Sequence, residues 1–342
     1  MNFRLKSLAF VVAFVALLSQ TGLAQEVRKL GTSAAAFLRI PVGARAVSMG
    51  SAFVSMADDE TALYWNPAGI AGLQKFGLGV DYTEWLLGVD FNFLGLVIPH
   101  RSGALGFSVT TFKTGDMDIT TPAAPMGTGE TFDAGSYAIS ASYASRLTDR
   151  FSIGGTVKYV NERILNTTSA GVAFDVGTIY TTPFAGIRLG ASILNFGTKL
   201  RMEGEDLNVR VDIAPGQEGN NQSVVGQLVT DEFDMPLIMR IGLSWDAMNS
   251  EGVRLTAAAD ALNPNDNANS VNAGLELALL REKVTLRGGF NDLFLGEGTR
   301  GLTLGAGLNL IVNGDLGLSA NYAYQDIEFF STVNRFSLSL SF

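Results

Sequence analysis

The last ten residues read V-N-R-F-S-L-S-L-S-F (333–342). In an extended chain Phe336, Leu338, Leu340 and Phe342 fall on one face, and Ser337, Ser339 and Ser341 on the other. A period of two describes a strand with one apolar and one wet face. One such strand fits a soluble sheet over a core as well as it fits a membrane wall. The remainder of the chain decides between them.

The other end carries an export pattern. Arg4 and Lys6 form a basic start, residues 8–18 are apolar, and Gly22-Leu23-Ala24 is a small-x-small cleavage site before Gln25. The apolar run is about eleven residues, against roughly 20 for a spanning helix, so residues 1–24 read as a secretory signal peptide. Cleavage there removes two positive charges and moves the formal net charge from −9 to −11. Such acidity makes a poor nucleic-acid binder. The chain has no Cys, which excludes a disulfide framework and thiolate-bound zinc. Charged residues are 17%, below the ~25% of ordinary soluble domains, and Gly is abundant at 39 residues. An apolar chain with no later helix-length apolar run must disperse its apolar residues, and alternation does this.

From residue 76 onward fourteen alternating stretches follow, at 76–84, 87–98, 104–114, 134–146, 151–162, 170–181, 186–195, 237–247, 253–262, 270–280, 284–291, 301–311, 315–325 and 333–342. Leu302, Leu304, Ala306, Leu308 and Leu310, for example, alternate with Thr303, Gly305, Gly307 and Asn309. Series of about ten-residue alternating segments are the mark of transmembrane β-barrels. Connection lengths give an independent test. After even stretches they are short (99–103, 147–150, 182–185, 248–252, 281–283, 312–314). After odd ones they are mostly longer (115–133, 162–169, 196–236, 263–269, 291–300, 326–332), with a tight exception at 84–86. Bacterial barrels have short periplasmic turns and longer outer loops, whereas a soluble sandwich has no reason for this parity.

Charges within the stretches give a third test. Lys158, Asp175, Arg188, Arg240, Arg254, Asp260, Glu276 and Arg287 all occupy the parity opposite to the apolar set. Facing lipid at mid-bilayer, each Arg or Lys would cost about 2–4 kcal/mol; facing the lumen, they can pair. Trp85, Trp245, Tyr159, Tyr180 and Tyr324 are girdle candidates near strand ends. The fold class expected is all-β: a 14-stranded antiparallel transmembrane barrel over 76–342, preceded by a leader and small helical hatch over 25–75.

Residues 44–73 have helix punctuation instead of alternation. Asp58 or Asp59 can cap a short helix through Leu63, and Asn66 can cap another with Pro67 at its first position. The motifs Gly43-Ala44-Arg45-Ala46, Met49-Gly50, Ala57-Asp58-Asp59 and Trp65-Asn66-Pro67-Ala68-Gly69, in this order, resemble the PorV/PorQ family, which belongs with the FadL-like outer-membrane barrels. The resemblance implies a non-enzymatic barrel in type IX secretion, binding secreted cargo or secretion-machinery partners through extracellular loops. The alternative it carries is FadL-like passage of hydrophobic small molecules past the hatch. Either role places the chain among outer-membrane lipid, with no nucleic acid as partner.

The hatch motif (Arg45, Asp58, Asp59, Trp65, Asn66, Pro67, Ala68, Gly69) has two readings, a gate or a structural plug, and capping alone accounts for Asn66-Pro67. Arg45, Asp58 and Asp59 are expected to pair with lumen charges such as Arg240 or Asp260. The acidic loop 196–236, with Glu203, Glu205 and Asp206, is long enough to be functional or disordered, and it lacks calcium-loop spacing. With Phe329 and Phe330 in the last outer loop, it forms the candidate partner surface. His100 is the only His and lies in a short turn expected to be periplasmic, which leaves no His-based triad with an outward-facing Ser and no His metal cluster, and no phosphate-cradling loop precedes a helix. No catalytic residue, metal or cofactor is expected. Phe342 resembles the terminal aromatic of the outer-membrane assembly signal. Phe342→Ser should therefore lower the heat-modifiable barrel in outer-membrane fractions while leaving export intact; an unchanged amount of folded barrel would refute this role.

Overall fold

The computed structural model describes residues 31–214, 216, 223–295, 300–312, 315–327 and 332–342. The proposed signal peptide and the pair Phe329–Phe330 lie outside the described residues. Fourteen strands form the wall. They are β1 (Gly77–Glu84), β2 (Asp90–His100), β3 (Gly103–Lys113), β4 (Ala134–Thr148), β5 (Phe151–Ile164), β6 (Thr167–Thr181), β7 (Arg188–Gly197), β8 (Ile238–Asn249), β9 (Val253–Pro264), β10 (Ser270–Leu279), β11 (Val284–Leu293), β12 (Arg300–Val312), β13 (Leu316–Ile327) and β14 (Val333–Ser341). Each pairs antiparallel with its sequence neighbours. The terminal strand β14 closes on β1, from Gly77↔Ser341 to Glu84↔Asn334. Phe76 and Phe342 finish this seam with reciprocal backbone hydrogen bonds of 3.0 Å and rings 4.6 Å apart. Closure leaves no sheet edge, the condition for strands to cross hydrocarbon.

Side chains sort by parity. Val80, Phe107, Ile139, Val157, Ile241, Leu304 and Leu338 are exposed on the outer face, while Ser108, Ser140, Lys158, Asp175, Arg240 and Glu276 are buried inside. Two expectations change. Phe91, Phe93 and Val97 on β2 also face inward and are buried, because the lumen there holds protein and not water. Trp85 is no lipid-girdle residue. Its ring lies 5.2 Å from the Arg335 guanidinium at the upper rim.

Connection parity holds with one further exception. The stretch 162–169 is no loop: β5 and β6 pair through Ile164↔Thr167 and turn at 165–166, with Leu165 at φ 52. Its Asn, Glu and Thr residues are polar because they stand above the apolar band, not because the chain turns there. The described residues of the loop 198–237 are also organised. Glu203–Gly204 pairs with the end of β6, Glu205–Leu207 forms a 3-10 turn, and Asn208–Val211 pairs with Val224–Gln227 as a ribbon.

The barrel interior is filled by residues 32–73. Its short helical pieces are Ala36–Arg39, Ala44–Ser48, Ala62–Trp65 and Pro67–Gly72. Phe37, Leu38, Val42, Phe53, Met56, Leu63, Trp65 and Ile70 are buried together as its core. Among the described residues no helix is long and apolar enough to cross a membrane.

Wall glycines let this plug approach. A Cβ at Gly274 would fall 2.2 Å from the Met49 carbonyl oxygen, one at Gly289 2.1 Å from the Gly50 nitrogen, and one at Gly154 2.5 Å from the Pro67 carbonyl carbon. Gly190 meets the Val54 carbonyl in the same way, and Gly305 meets the side chain of Ser48. Plug backbone therefore lies directly on wall backbone around much of the circumference, which no larger residue permits. Gly289→Leu should keep a heat-modifiable barrel yet leave the plug sensitive to limited proteolysis. Gly288→Leu, on the opposite parity with only ordinary contact to Leu304, should not. Equal protease resistance in both variants would show that close backbone packing does not hold the plug.

Candidate functional site: the hatch and the long-loop mouth

The family-like motifs all lie in the plug, and most of their residues have a specific contact. Gly43 (φ 86) and Gly50 (φ 64) take left-handed backbone, and a Cβ on Gly50 would strike the Ala273 oxygen and Phe290 nitrogen at 2.5 Å. Asp59 accepts from the Thr61 amide at 2.9 Å and from its hydroxyl, starting the turn that leads into Ala62–Trp65. Asn66 accepts from the Ala68 amide at 3.2 Å, capping Pro67–Gly72. Its Nδ2 donates to the carbonyls of Val54 (2.8 Å) and Thr178 (3.0 Å), so one amide joins two parts of the plug to β6. A Cβ on Gly69 would lie 1.9 Å from the Ala57 oxygen. Trp65 Nε1 donates to the Val42 carbonyl at 2.9 Å.

Charges bind plug to wall. Glu276 on β10 is buried and takes three guanidiniums: Arg287 at 2.7 Å, Arg254 at 3.1 Å and Arg45 of the plug at 3.2 Å. Arg45 also reaches Asp58 (2.5 Å) and Asp59 (3.0 Å), and Asp58 lies 3.7 Å from Arg188. Burial alone would lower the Arg45 ionisation, but Asp58, Glu276 and Asp59 raise it well above its ordinary value. The plug charges thus meet Glu276 and Arg188, not the expected Arg240 and Asp260. Those two are used otherwise. Asp260 accepts from the amides of Phe53 (2.8 Å) and Val54 (2.9 Å). Arg240 lies 4.5 Å from the Trp65 ring centre and 5.8 Å from Tyr64, with Nε and Nη1 reaching no hydrogen-bond acceptor. Lys158 and Asp175 pair with each other at 2.7 Å.

Beside the charge cluster, toward the short-turn end, lies a cavity of about 340 Å³. The cluster and Thr285, Asn309, Ser319, Asn321, Ser337, Ser339 and Ser341 line it, so the serine face of β14 is a wet lumen wall. The long-loop mouth is built differently. Among the loop residues Asp206 caps the 165–166 turn, accepting from the Asn166 amide (2.9 Å) and side chain (3.0 Å). Glu203 lies in the β6 pairing and Glu205 in the following turn. Above them Ile213, Val225, Leu228 and Val229 are exposed.

A closed barrel of this kind, filled by its own N-terminal segment, is an outer-membrane architecture. The family model described as "Type IX secretion system protein PorV" matches residues 23–206, and the chain belongs to that family. Among solved structures, the CymD monoaromatic hydrocarbon channel superposes with a TM-score of 0.55 at 13% identity, over 88% of this chain and 97% of that one. The Pseudomonas putida toluene transporter TodX and the Ralstonia pickettii toluene transporter TbuX each give 0.53 at 14% identity, with the same coverages. At these identities the likeness shows the barrel fold alone. No curated protein matches the chain significantly.

The plug carries one group that titrates near neutrality. Glu60 lies against Gly77 and Gly79 of β1, and burial, then the Asp59 charge, push its carboxyl from 4.5 up to about 7. The docked plug therefore binds more protons than a released one between these values. Its stability is fullest below pH about 4.5, falls as pH rises, and levels above about 7. Plug protease resistance should decline from pH 5 to pH 8 in the native protein and stay flat in Glu60→Gln; a slope that survives the substitution would assign it to another group.

Proposed function

We propose that the protein works in type IX secretion as a sealed, non-enzymatic barrel that binds secreted cargo or a secretion-machinery partner at its long-loop face. One observation carries the choice. The described part of the 198–237 loop carries a paired ribbon and exposed Ile213, Val225, Leu228 and Val229, standing on a barrel whose lumen is filled by the plug. Exposed apolar side chains on an ordered element suit a macromolecular contact. Of the loop's acidic residues Asp206 caps a turn and Glu232 pairs with Arg201 at 2.7 Å; the others, Glu203, Glu205 and Asp231 among them, favour a partner with a basic surface. In this reading the long-loop end is extracellular, the short-turn end periplasmic, and residues 1–24 direct export.

Passage of hydrophobic small molecules, the activity named for the structural neighbours, draws no support from the lumen. The 340 Å³ cavity is lined by a charge cluster, hydroxyls and amides together with Leu73 and Phe93, whereas sites for such ligands are mostly apolar with few charges.

The test removes residues 203–232 and joins the ends with a short Gly/Ser linker. This spares the Leu200–Phe233 bridge at the loop base. The barrel should remain heat-modifiable and the partner should no longer co-purify. Undiminished co-purification would exclude this loop as the main docking element.

A further inference from the structure

The plug does not begin inside the barrel. Its first described residues lie across the long-loop mouth and touch three outer elements. The Ser33 hydroxyl donates to Asp266, in the 265–269 loop, and Arg39 donates to the same carboxylate at 2.8 Å. The Ala34 amide donates to the Asp234 carbonyl at 3.0 Å, in a parallel bridge between Ser33 and Asp234. The Ala35 amide donates to Glu162 Oε2, at the upper end of β5, at 3.0 Å. Asp266 sits in an outer loop yet is only 2% exposed. A carboxylate so buried depends on its donors, and the described side-chain donors both come from this N-terminal segment.

The point of attachment is the base of the long loop. Leu200 and Phe233 exchange both backbone hydrogen bonds at 2.9 Å. Met235 and Leu200 are buried in the same core as Phe37 and Leu38 of the plug. Asn265, next to Asp266, donates its amide to the Leu237 carbonyl (3.0 Å) and its side chain to the Met235 carbonyl (3.1 Å). The loop base is thus held by the 265–269 loop on one side and by the N-terminal segment on the other, and Asp266 joins the two holders.

We infer that residues 33–39 are a clasp. They lock the base of the 198–237 loop to the mouth, and their release frees that base while the barrel stays closed. The clasp makes plug and loop one mechanical unit, so a change at the loop is felt by the plug below it. It regulates the loop that the preceding section assigns to partner docking, and rests on that reading for its biological meaning only.

Hydrogen exchange on the full-length protein in detergent, with no partner present, tests the clasp separately from the docking role. In Asp266→Ala the amides of Ala34, Ala35, Leu200 and Phe233 should exchange at least tenfold faster, with the β13–β14 ladder unchanged. The chain contains no cysteine, so Ser33→Cys with Asp234→Cys offers a single selective disulfide across the bridge. That disulfide, added to Asp266→Ala, should restore protection at Leu200 and Phe233. Ser33→Cys with Arg39→Gln, which leaves the disulfide with Asp234→Cys available, replaces Asp266→Ala if the latter fails to assemble. Native protection at Leu200 and Phe233 in a variant whose segment has loosened overturns the clasp. So does an unloosened segment, or a disulfide that restores nothing.

Discussion

A backbone amide in hydrocarbon has no water to bond, so every wall residue must find its partner in a neighbouring strand. The β1–β14 seam is where this requirement closes on itself, and the rest of the molecule follows from it. A wall of paired strands has one face in lipid and one inside, which imposes the period of two. The lipid face must be apolar, which sends Lys158, Asp175, Arg240, Glu276 and Arg287 into the lumen. Charges gathered in a narrow lumen then need partners. Some pair within the wall, as Lys158 does with Asp175. Others are completed by the plug, as Glu276 is by Arg45. The plug is a consequence of the wall as much as an addition to it.

The wall was legible because its constraint is periodic and repeats along the chain. The strands appear where alternation puts them, with shifts at their ends. The errors have a common origin: a sequence shows which face a residue takes, not how high it stands. The polar stretch 162–169 looks like a loop, yet it continues two strands above the lipid. Trp85 looks like a girdle residue and instead covers Arg335. Arg45 could not be matched to Glu276, because that pairing depends on the tilt and stagger of β10 relative to a plug with no period of its own. On β2 both faces are apolar, and only the plug's position explains why Phe91 and Phe93 turn inward.

The hatch motif is the converse case, conspicuous in sequence and opaque in detail. A lipid-facing position asks only for an apolar side chain, and many satisfy it. The plug positions ask for one residue each: Gly50 for its backbone and its contact with two strands, Asn66 for three simultaneous hydrogen bonds, Gly69 for space beneath Ala57. Local capping explained Asn66-Pro67 correctly but incompletely, since the bonds to Val54 and Thr178 are tertiary. The wall glycines carry a similar hidden signal. Gly154, Gly190, Gly274, Gly289 and Gly305 each sit on the inward parity, where a strand would otherwise gain from a larger residue.

These energetics bear on where the protein acts. Displacing the plug breaks the Arg45–Glu276 contact in a buried charge cluster and leaves Glu276 with Arg254 and Arg287 alone. Plug release would also open backbone contacts at several wall glycines at once. Opening the lumen is therefore costly, and it exposes a cavity with polar walls. The mouth is held by fewer polar links, a few amides, one shared carboxylate and a short bridge, over a buried apolar base of Phe37, Leu38, Leu200 and Met235. Elements with few buried contacts open first and supply the moving parts of a protein. In the role proposed above, recognition sits at the rim, where the clasp releases before the plug does. On that proposal the filled lumen serves as the base that holds the loop for a partner.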